Sequence, residues 1–250
     1  MTSARTEGPG SGRHRQDGFR ALGSALVVVL ALSAVVLLGP RLLGGTGFSS
    51  PDARIQGLLH DALRDGTLFD IPGSDVPLRA GRVRSRLPTV DVLDADRAVA
   101  VITLDVTGTF GDTQVSSLGW ERIPFERDAR GRWHAPQGMA PRLTASLAAL
   151  ESRRAALEAG ASDAVDALST EAAPPAQELS RMRALQALAD RRYDVEAWLL
   201  RSERDRVEVA ERYRVRGTLP ERPVDEKGLR NLTLVPSADG EGLLFSPPLM

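Results

Sequence analysis

The longest apolar stretch of the chain lies near its start, at Ala21–Gly39, and contains no charged residue. An α-helix rises about 1.5 Å per residue, so this stretch would span roughly 28 Å as a helix. That length is close to the ~30 Å hydrocarbon thickness of a bilayer. The pattern therefore predicts a transmembrane helix at Ala21–Gly39.

Charged residues around this stretch predict its orientation. Residues 1–20 form a basic tail with four arginines, whereas the far flank carries fewer basic residues close to the membrane. The positive-inside bias therefore favours a cytoplasmic N-terminus, with the C-terminal bulk on the periplasmic or extracellular side. A cleaved signal peptide remains the alternative, because the apolar core at 25–39 is near the upper length for such a peptide. Pro40–Leu43 offers no small-x-small cleavage site, which favours an uncleaved, single-pass anchor.

Residues 40–51 are predicted to form a Gly/Ser-rich linker. After this linker, hydrophobic residues recur at helical spacing. Leucines and isoleucine three or four positions apart predict a helix at Asp52–Arg64. The same spacing predicts an amphipathic helix at Pro141–Leu168, with a break near Gly160, and another helix at Ala176–Arg191. These predicted helices flank two regions in which the hydrophobic residues follow a different pattern.

Alternation of apolar and polar residues predicts strands in those two regions. Pro88 and Pro124 interrupt two of the runs and indicate edges or bends. Phe69–Leu78, which contains two prolines and a glycine, is predicted to be a loop. The predicted strands are Val83–Val92, Ala98–Phe110, Gln114–Arg127, Arg132–His134, Tyr193–Leu200, Arg206–Val215, Leu229–Val235 and Leu243–Phe245.

The two strand regions share a weak internal repeat. Asp96-Arg97 precedes a valine-rich strand that leads to Gly108, and Asp205-Arg206 precedes another that leads to Gly217. The spacing from the aspartate to the glycine is the same in both copies. Similar units in tandem are typical of a duplicated module. The predicted organisation is a basic cytoplasmic tail, a transmembrane helix, a linker and two α+β modules, with bounds at 1–20, 21–39, 40–51, 52–138 and 139–250.

Helices followed by hairpin-linked strands predict an α+β fold, with helices packed on a curved antiparallel sheet in each module. By its element order over residues 52–246, this unit resembles the NTF2-like and cystatin-like folds. An anchor followed by one or two such modules is similar to the VirB8-type and TcpC-type components of bacterial secretion and conjugation machines. It is also similar to the Mce-associated membrane proteins. The resemblance implies no particular functional residue.

Composition excludes several function classes. The formal net charge is −1 and aromatic residues make up only 4% of the chain, which argues against nucleic acid as a partner. The absence of cysteine excludes disulfides and thiolate metal sites. Three histidines, His14, His60 and His134, lack the spacing of metal ligands. No nucleophile or phosphate-loop motif is present, so we predict no catalytic, cofactor-binding or metal-binding residues.

Three polar residues interrupt otherwise apolar strand faces: Asp105, Glu208 and Tyr213. NTF2-like folds often enclose a pocket, and Asp105 is the candidate pocket residue if its side chain points inward. The alternative is an exposed residue near the end of a strand. The strand tryptophans are interpreted as core or edge anchors rather than as a ligand cage.

The anchor, the repeat and the missing catalytic set together predict a membrane-anchored extracytoplasmic scaffold without enzymatic activity or cofactor. Its expected partners are the membrane, other envelope proteins and its own copies. A ligand-binding or sensing module with an apolar pocket is the alternative, followed by a tethered NTF2-like enzyme.

Overall fold

The computed structural model describes residues 50–64, 68–170, 180, 183–238 and 242–246. The predicted transmembrane helix Ala21–Gly39, with the basic tail and nearly all of the linker, lies outside the described residues. Among the helices that are described, none combines the length and the apolar character needed to cross a bilayer.

The described residues form an α+β structure with few helices and nine strands. Residues 183–186 are also helical. In chain order the elements are α1 (Pro51–Arg64), β1 (Leu68–Phe69), β2 (Leu78–Val92), β3 (Arg97–Phe110), β4 (Thr113–Arg127), β5 (Trp133–His134), α2 (Pro141–Ala159), α3 (Ser162–Asp166), β6 (Ala189–Ser202), β7 (Val207–Leu219), β8 (Arg222–Pro236) and β9 (Leu243–Ser246).

All nine strands belong to one large curved sheet of mixed direction. Its order is β1-β2-β3-β4-β6-β7-β8-β9, with β5 paired to the end of β4. Every neighbouring pair is antiparallel except β4 and β6, which run parallel from Gln114↔Ala197 to Gly119↔Ser202. The strands of each predicted module are therefore antiparallel among themselves, and one parallel seam joins the two groups into a continuous sheet. The division into two modules at 138/139 stays a prediction.

Hydroxyl groups hold the two ends of this seam. Thr113 Oγ1 donates to the carbonyl of Val195 (2.9 Å), and Ser202 Oγ donates to the carbonyl of Trp120 (2.8 Å). Between them the backbones approach closely, because a Cβ placed on Gly119 would overlap the Ser202 carbonyl. A glycine is therefore required where the two groups meet.

The core lies between one face of the sheet and the helices. Helix α1 packs against β2, and α2 packs against β4, β6 and β9. Inner-face residues alternate with exposed ones along the strands, as a sheet covered on one face requires. The largest fully buried apolar side chains are Ile55, Leu78, Ile102, Val106, Ile123, Phe125, Leu147, Leu150, Tyr193, Trp198 and Leu234.

The strand groups β2–β4 and β6–β8, termed here the N-terminal and C-terminal groups, match at a constant offset along the chain. This offset takes both bounds of β4 to those of β8, Thr113 to Arg222 and Arg127 to Pro236. The same offset takes the pair Ala98↔Phe125 to the pair Val207↔Leu234. Strands β2 and β6 each carry two register irregularities. Each position of β4, and each position of β3 from Ala98 onwards, therefore has a matched position in β8 or β7.

Most elements predicted within the described residues are found, with one correction. The helix predicted at Pro141–Leu168 breaks at Gly160, as expected, because the φ of 71° at this glycine ends α2 in the left-handed conformation. The predicted helix Ala176–Arg191 extends too far, because β6 already begins at Ala189 to pair with Thr218. Strand pairing with β7 overrides the helical propensity of these last residues.

Candidate ligand-binding site

Strand β7 places polar side chains on the inner face of the C-terminal group. Val207, Val209 and Val215 occupy this face, and Glu211 and Tyr213 interrupt it. Glu211 is 0% exposed, and Tyr213 is half-buried. A fully buried carboxylate is costly unless each of its oxygen atoms is hydrogen-bonded, so the surroundings of Glu211 determine what it does.

Glu211 accepts hydrogen bonds from three buried side chains. Its Oε1 accepts from the hydroxyl of Tyr193 (2.7 Å) and from Nη1 of Arg153 (3.3 Å). Its Oε2 accepts from Nε1 of Trp198 (3.1 Å). Arg153 is only 3% exposed and comes from α2, whereas Tyr193 and Trp198 come from β6. The cluster therefore fastens α2 to the C-terminal group by a buried ion pair and two neutral donors.

The chemistry of this buried cluster is that of a fixed support. Burial and the adjacent negative charge of Glu211 raise the pKa of Tyr193, so its phenol stays protonated and keeps donating. Arg153 also faces the ring of Phe245, 5.7 Å from the ring centre, which brings β9 into the same cluster. Glu211, Arg153 and Trp198 are almost without solvent exposure and line no described cavity, so they act by positioning neighbouring side chains such as Tyr193.

A cavity of about 330 Å³ lies beside this cluster, between residues 184–188 and strands β6–β8. We term it the C-terminal cavity. Its apolar lining is provided by leucine and valine side chains, including Leu185, Leu188, Val215, Leu219 and Val224. Its polar lining consists of Tyr193, Tyr213, Arg222, Glu226 and Arg230. An apolar cavity with a few polar groups is the usual character of a small-molecule site.

Tyr213 is the central side chain of this lining. Its ring stacks on that of Tyr193, with centres 5.3 Å apart and planes 13° from parallel. The guanidinium of Arg230 lies 5.3 Å from the centre of the Tyr213 ring. A Cβ on Gly228 would lie 2.5 Å from the Tyr213 hydroxyl oxygen, so the absence of a side chain there lets the ring cross to β8. These contacts hold an aromatic surface and a cation at one end of the cavity.

A second, more open cavity of about 640 Å³ lies at the start of α2. Trp120, Arg122 and Arg142 are among its lining residues, and the Arg142 guanidinium lies 5.6 Å from the Trp120 ring centre. Arg142 Nη1 also donates to the carbonyl of Arg204 (3.0 Å). We term this the α2 cavity.

Glu121, on strand β4, is buried beside the α2 cavity. Its side chain caps the N-terminus of α2. Ala140, the residue before α2, supplies no side-chain cap. Instead Glu121 accepts the backbone N–H groups of Arg142 (3.0 Å) and Leu143 (2.8 Å), one on each oxygen. Burial raises the pKa of Glu121 to about 7, although both N–H donors act to lower it. This group therefore changes charge near neutral pH.

The structure places the residues predicted from the sequence away from these cavities, except for one. Asp105 points to the face opposite Leu104, where its carboxylate pairs with Arg82 (3.2 Å). It lines neither cavity, so neither supports its predicted role in a pocket. Glu208 pairs with Arg206 (3.2 Å) beside it. Tyr213, in contrast, lines the C-terminal cavity.

Other predicted features have mixed outcomes. His60 and His134 are exposed, and His14 lies outside the described residues. The described residues contain no group of three or more histidine, aspartate or glutamate side chains that could hold a metal ion. Trp133 and Trp198 are buried core residues, as predicted, whereas Trp120 is half-buried and faces the α2 cavity.

Comparisons with known proteins give solved structures of low similarity to this chain. No protein-family model and no curated protein matches the sequence. The chain is similar to the solved structure of a proposed ketosteroid isomerase from Shewanella frigidimarina NCIMB 400, with 17% identity, 41% of this chain and 91% of that chain covered, and a TM-score of 0.34. It is also similar to an NTF2-like protein involved in plasmid conjugation, with 10% identity, 69% and 77% coverage, and a TM-score of 0.30. These values are too low to argue a ligand or an activity.

Proposed function

We propose that the described part of the chain binds a small, largely apolar molecule in the C-terminal cavity. The observation that carries this proposal is a difference at matched positions. Ile102 and Leu104 of the N-terminal group are buried core residues, and the matched positions of the C-terminal group are Glu211 and Tyr213. At these positions the N-terminal group packs aliphatic side chains, whereas the C-terminal group has a buried polar cluster beside a cavity.

The size and lining of the C-terminal cavity suit a small ligand. Small-molecule sites occupy roughly 300–1,000 Å³ and combine an apolar lining with a few polar groups that fix orientation. At about 330 Å³ the cavity lies at the lower end of this range. The stacked rings of Tyr193 and Tyr213 give it a rigid wall, because the hydroxyl of Tyr193 is held by Glu211.

Binding, rather than catalysis, is proposed because the buried ionisable groups beside the cavity are engaged in holding the fold. Glu211 already accepts three hydrogen bonds, and Tyr193 is kept protonated. A general base must accept a proton from its substrate, and a general acid must release one. Neither group is arranged for that role.

Filling the cavity tests this proposal. Val224 is half-buried and lines the cavity, so Val224→Phe should occupy part of its volume. The control is Val83→Phe, which makes the same substitution at a half-buried valine that packs against the core of the N-terminal group. The full chain in lipid nanodiscs would be titrated calorimetrically with octanol and octanoate, with empty nanodiscs as reference.

We expect the wild type and Val83→Phe to bind at least one of the two probes, and Val224→Phe to bind it at least tenfold more weakly. Equal binding by Val224→Phe and the wild type would overturn the proposal. So would the absence of binding by any variant, once thermal unfolding has shown that each is folded.

A scaffold remains a second candidate, supported by a feature of the outer face. Leu118 on β4 and Leu199 on β6 are 56% and 57% exposed and lie near each other across the parallel seam. Exposed leucines that lie together are typical of contact surfaces. Sedimentation of the full chain should then show self-association that Leu118→Glu abolishes, and a monomer at all concentrations would remove self-assembly from consideration.

The membrane placement is also a proposal, and it rests on the sequence at Ala21–Gly39 and its basic flank. In that arrangement the cavity lies on the outer side of the cell membrane, where it would meet extracytoplasmic ligands. A reporter enzyme active only outside the cytoplasm, fused after residue 250, should be active. Activity only of a cytoplasmic reporter would contradict this orientation.

A further inference from the structure

We propose that the outer face of strand β2 docks onto the anionic head groups of the bilayer in which the chain is anchored. The partner is a surface of anionic phospholipid. The docking residues are Arg82, Arg84 and Arg86, which we term the arginine row. The proposal rests on the membrane placement proposed above, and it is independent of what the C-terminal cavity binds.

The arginine row lies on the face of the sheet that is opposite to the core. Across the β2–β3 pair, Arg82, Arg84 and Arg86 are matched with Thr107, Asp105 and Thr103. These three β3 residues alternate with buried core residues, and directly opposite side chains share one face of a sheet. All three arginines are exposed. Alternate residues of a strand are about 7 Å apart, so the three guanidinium groups leave the sheet from evenly spaced positions.

The charges of the arginine row are mostly without carboxylate partners. Asp105 pairs with Arg82 (3.2 Å). Within the part of the chain that the structure describes, the guanidinium groups of Arg84 and Arg86 form neither an ion pair nor a hydrogen bond. The residue opposite Arg86 is the uncharged Thr103. Two guanidinium groups of the row are therefore available to an anionic partner.

The outer face of the C-terminal group provides a comparison. Four of its cations pair with carboxylates on other strands of the group: Arg212 and Lys227 with Glu196, Arg214 with Asp225, and Arg216 with Asp194. Outward-facing cations of this sheet are thus neutralised where neighbouring strands supply carboxylates. Strand β3 supplies one carboxylate to the arginine row, so the row keeps a positive charge.

A lipid surface suits this row better than a single small anion or an added strand. A guanidinium matches the oxygens of a phosphate, and a bilayer presents many separate phosphates, so each arginine can bind its own. Along its outer edge β2 is paired only with β1, at Leu78 and Arg79. Charged side chains on such an open edge oppose the pairing of another strand. The row therefore favours a partner that binds through side chains.

The chain itself keeps a bilayer near β2. The predicted transmembrane helix ends at Gly39, α1 begins at Pro51, and α1 packs against β2. Fully extended, residues 40–50 span at most about 40 Å. A short tether of this kind gives a high effective concentration of the lipid surface, so a few individually weak charge contacts are sufficient for docking.

Fluorescence quenching in nanodiscs tests the proposal on the full chain. The chain contains no cysteine, so a single introduced cysteine can carry a fluorophore. Thr109→Cys places it on β3, opposite Arg79 and next to the arginine row on the same face. Thr218→Cys is the control at the matched position of β7, and both threonines are exposed. The nanodiscs contain a lipid with a spin-labelled head group as quencher, in phosphatidylcholine alone or mixed with phosphatidylglycerol.

We expect phosphatidylglycerol to raise quenching at residue 109 at least twofold and to leave quenching at residue 218 unchanged. High salt should abolish the rise, because it screens charges on the surface. The double variant Arg84→Gln with Arg86→Gln should lower the ratio of docked to undocked chain about tenfold or more, since each arginine near an anionic surface contributes roughly fivefold.

Two further variants separate the row from general effects. Arg84→Lys with Arg86→Lys keeps both charges and should retain most of the rise, which a variant that merely disturbs β2 would not do. Arg130→Gln with Arg192→Gln removes the same charge from exposed residues outside β2 and should behave as the wild type. An equal loss in this control would show that net charge alone is responsible and would overturn the proposal.

The remaining outcomes distinguish the docking from the membrane placement. A chain that is held in nanodiscs but shows no response to phosphatidylglycerol would leave the placement standing and overturn the docking. A chain that elutes without lipid on gel filtration would overturn both. Saturable binding of a short DNA duplex at the row, without a response to phosphatidylglycerol, would assign the row to nucleic acid and also overturn the proposal.

Discussion

The two strand groups of the sheet share a framework and differ in what they enclose. The register of β3 with β4 recurs in β7 with β8 at one constant offset, and Gly119 has its counterpart in Gly228. The framework is therefore matched pair by pair. The residues at the centre of the inner face differ, however. The N-terminal group has Ile102 and Leu104 where the C-terminal group has Glu211 and Tyr213.

This difference shows how a cavity can be added to a sheet without changing its strands. Aliphatic side chains at the inner face close the core by packing alone. Glu211 instead requires partners, and Arg153, Tyr193 and Trp198 supply them from α2 and β6. Once that support holds Tyr193 in place, Tyr213 can stack on it and leave space beside it. Substitutions at matched positions of the two groups should therefore have different consequences.

The largest effect is expected from Glu211→Ile, which gives the C-terminal group the residue of the N-terminal group. It removes the carboxylate that pairs with the buried Arg153, and breaking one side of a buried ion pair costs about 3–5 kcal/mol. The double variant Glu211→Ile with Arg153→Met should be less destabilised than the single variant. Free energies of unfolding from denaturant titration measure both.

The reverse substitution gives the N-terminal group the residue that the C-terminal group has at the matched position. Ile102→Glu places a carboxylate directly opposite Glu121 in the β3–β4 pair, where two like charges would be buried together. We expect a loss of several kcal/mol here as well. If Glu211→Ile cost less than about 1 kcal/mol, the buried cluster would not be the support of the C-terminal group.

The pH dependence of stability should come from Glu121, whose matched residue is Arg230. Its pKa is about 7 in the folded chain and near 4.5 in the unfolded chain, so the folded state binds more protons between these values. The stability that this group contributes is complete below pH 4.5 and is lost as pH rises through about 7.

Between about pH 5 and pH 8 the expected loss is about 2–3 kcal/mol, from 1.36 kcal/mol per pKa unit. Glu121→Gln keeps an acceptor for the α2 backbone and should remove most of this dependence. Denaturant midpoints at the two pH values measure the effect. A wild type whose stability rises over this interval would show that the carboxylate is favoured by its helix donors more than it is disfavoured by burial.

Two matched glycines should respond differently to alanine. At Gly119 the new Cβ meets the Ser202 backbone at the parallel seam, which cannot easily move, so Gly119→Ala should cost about 1–3 kcal/mol. At Gly228 it meets the free end of the Tyr213 side chain, so Gly228→Ala should cost less and weaken ligand binding instead. Unfolding free energies and octanoate affinities separate the two effects, and equal costs would contradict the assignment.

The smallest effect is expected at Asp105, the pocket residue predicted from the sequence. It forms a partly exposed ion pair with Arg82, and such pairs contribute about 0–1 kcal/mol. Asp105→Asn should therefore change stability by less than about 1 kcal/mol and leave octanoate binding unchanged. A loss of ligand binding in this variant would restore Asp105 as a site residue.

The framework could be predicted from the sequence because strand alternation and helical spacing are local signals. Ala98–Phe110 was expected to be a strand and is found as Arg97–Phe110, and the break at Gly160 was expected from the glycine itself. The parallel seam could not be predicted, because β4 and β6 are separated along the chain by α2 and α3 and their pairing leaves no local pattern.

The site could be predicted only in part. Tyr213 is visible in the sequence as a polar interruption of an apolar face, and Glu211 lies just before it on the same face. That spacing was the available signal, because a charged residue among Val207, Val209 and Val215 must be buried with partners. Which partners it finds depends on α2, and no pattern within β7 indicates Arg153.

A crystal structure of the full chain grown with octanoate is the decisive measurement for the ligand site. We predict electron density for the ligand between residues 184–188 and strands β6–β8, with its apolar tail against Leu185 and Val224. A cavity that holds no ligand and is closed by the side chains of the C-terminal group would contradict the proposed site.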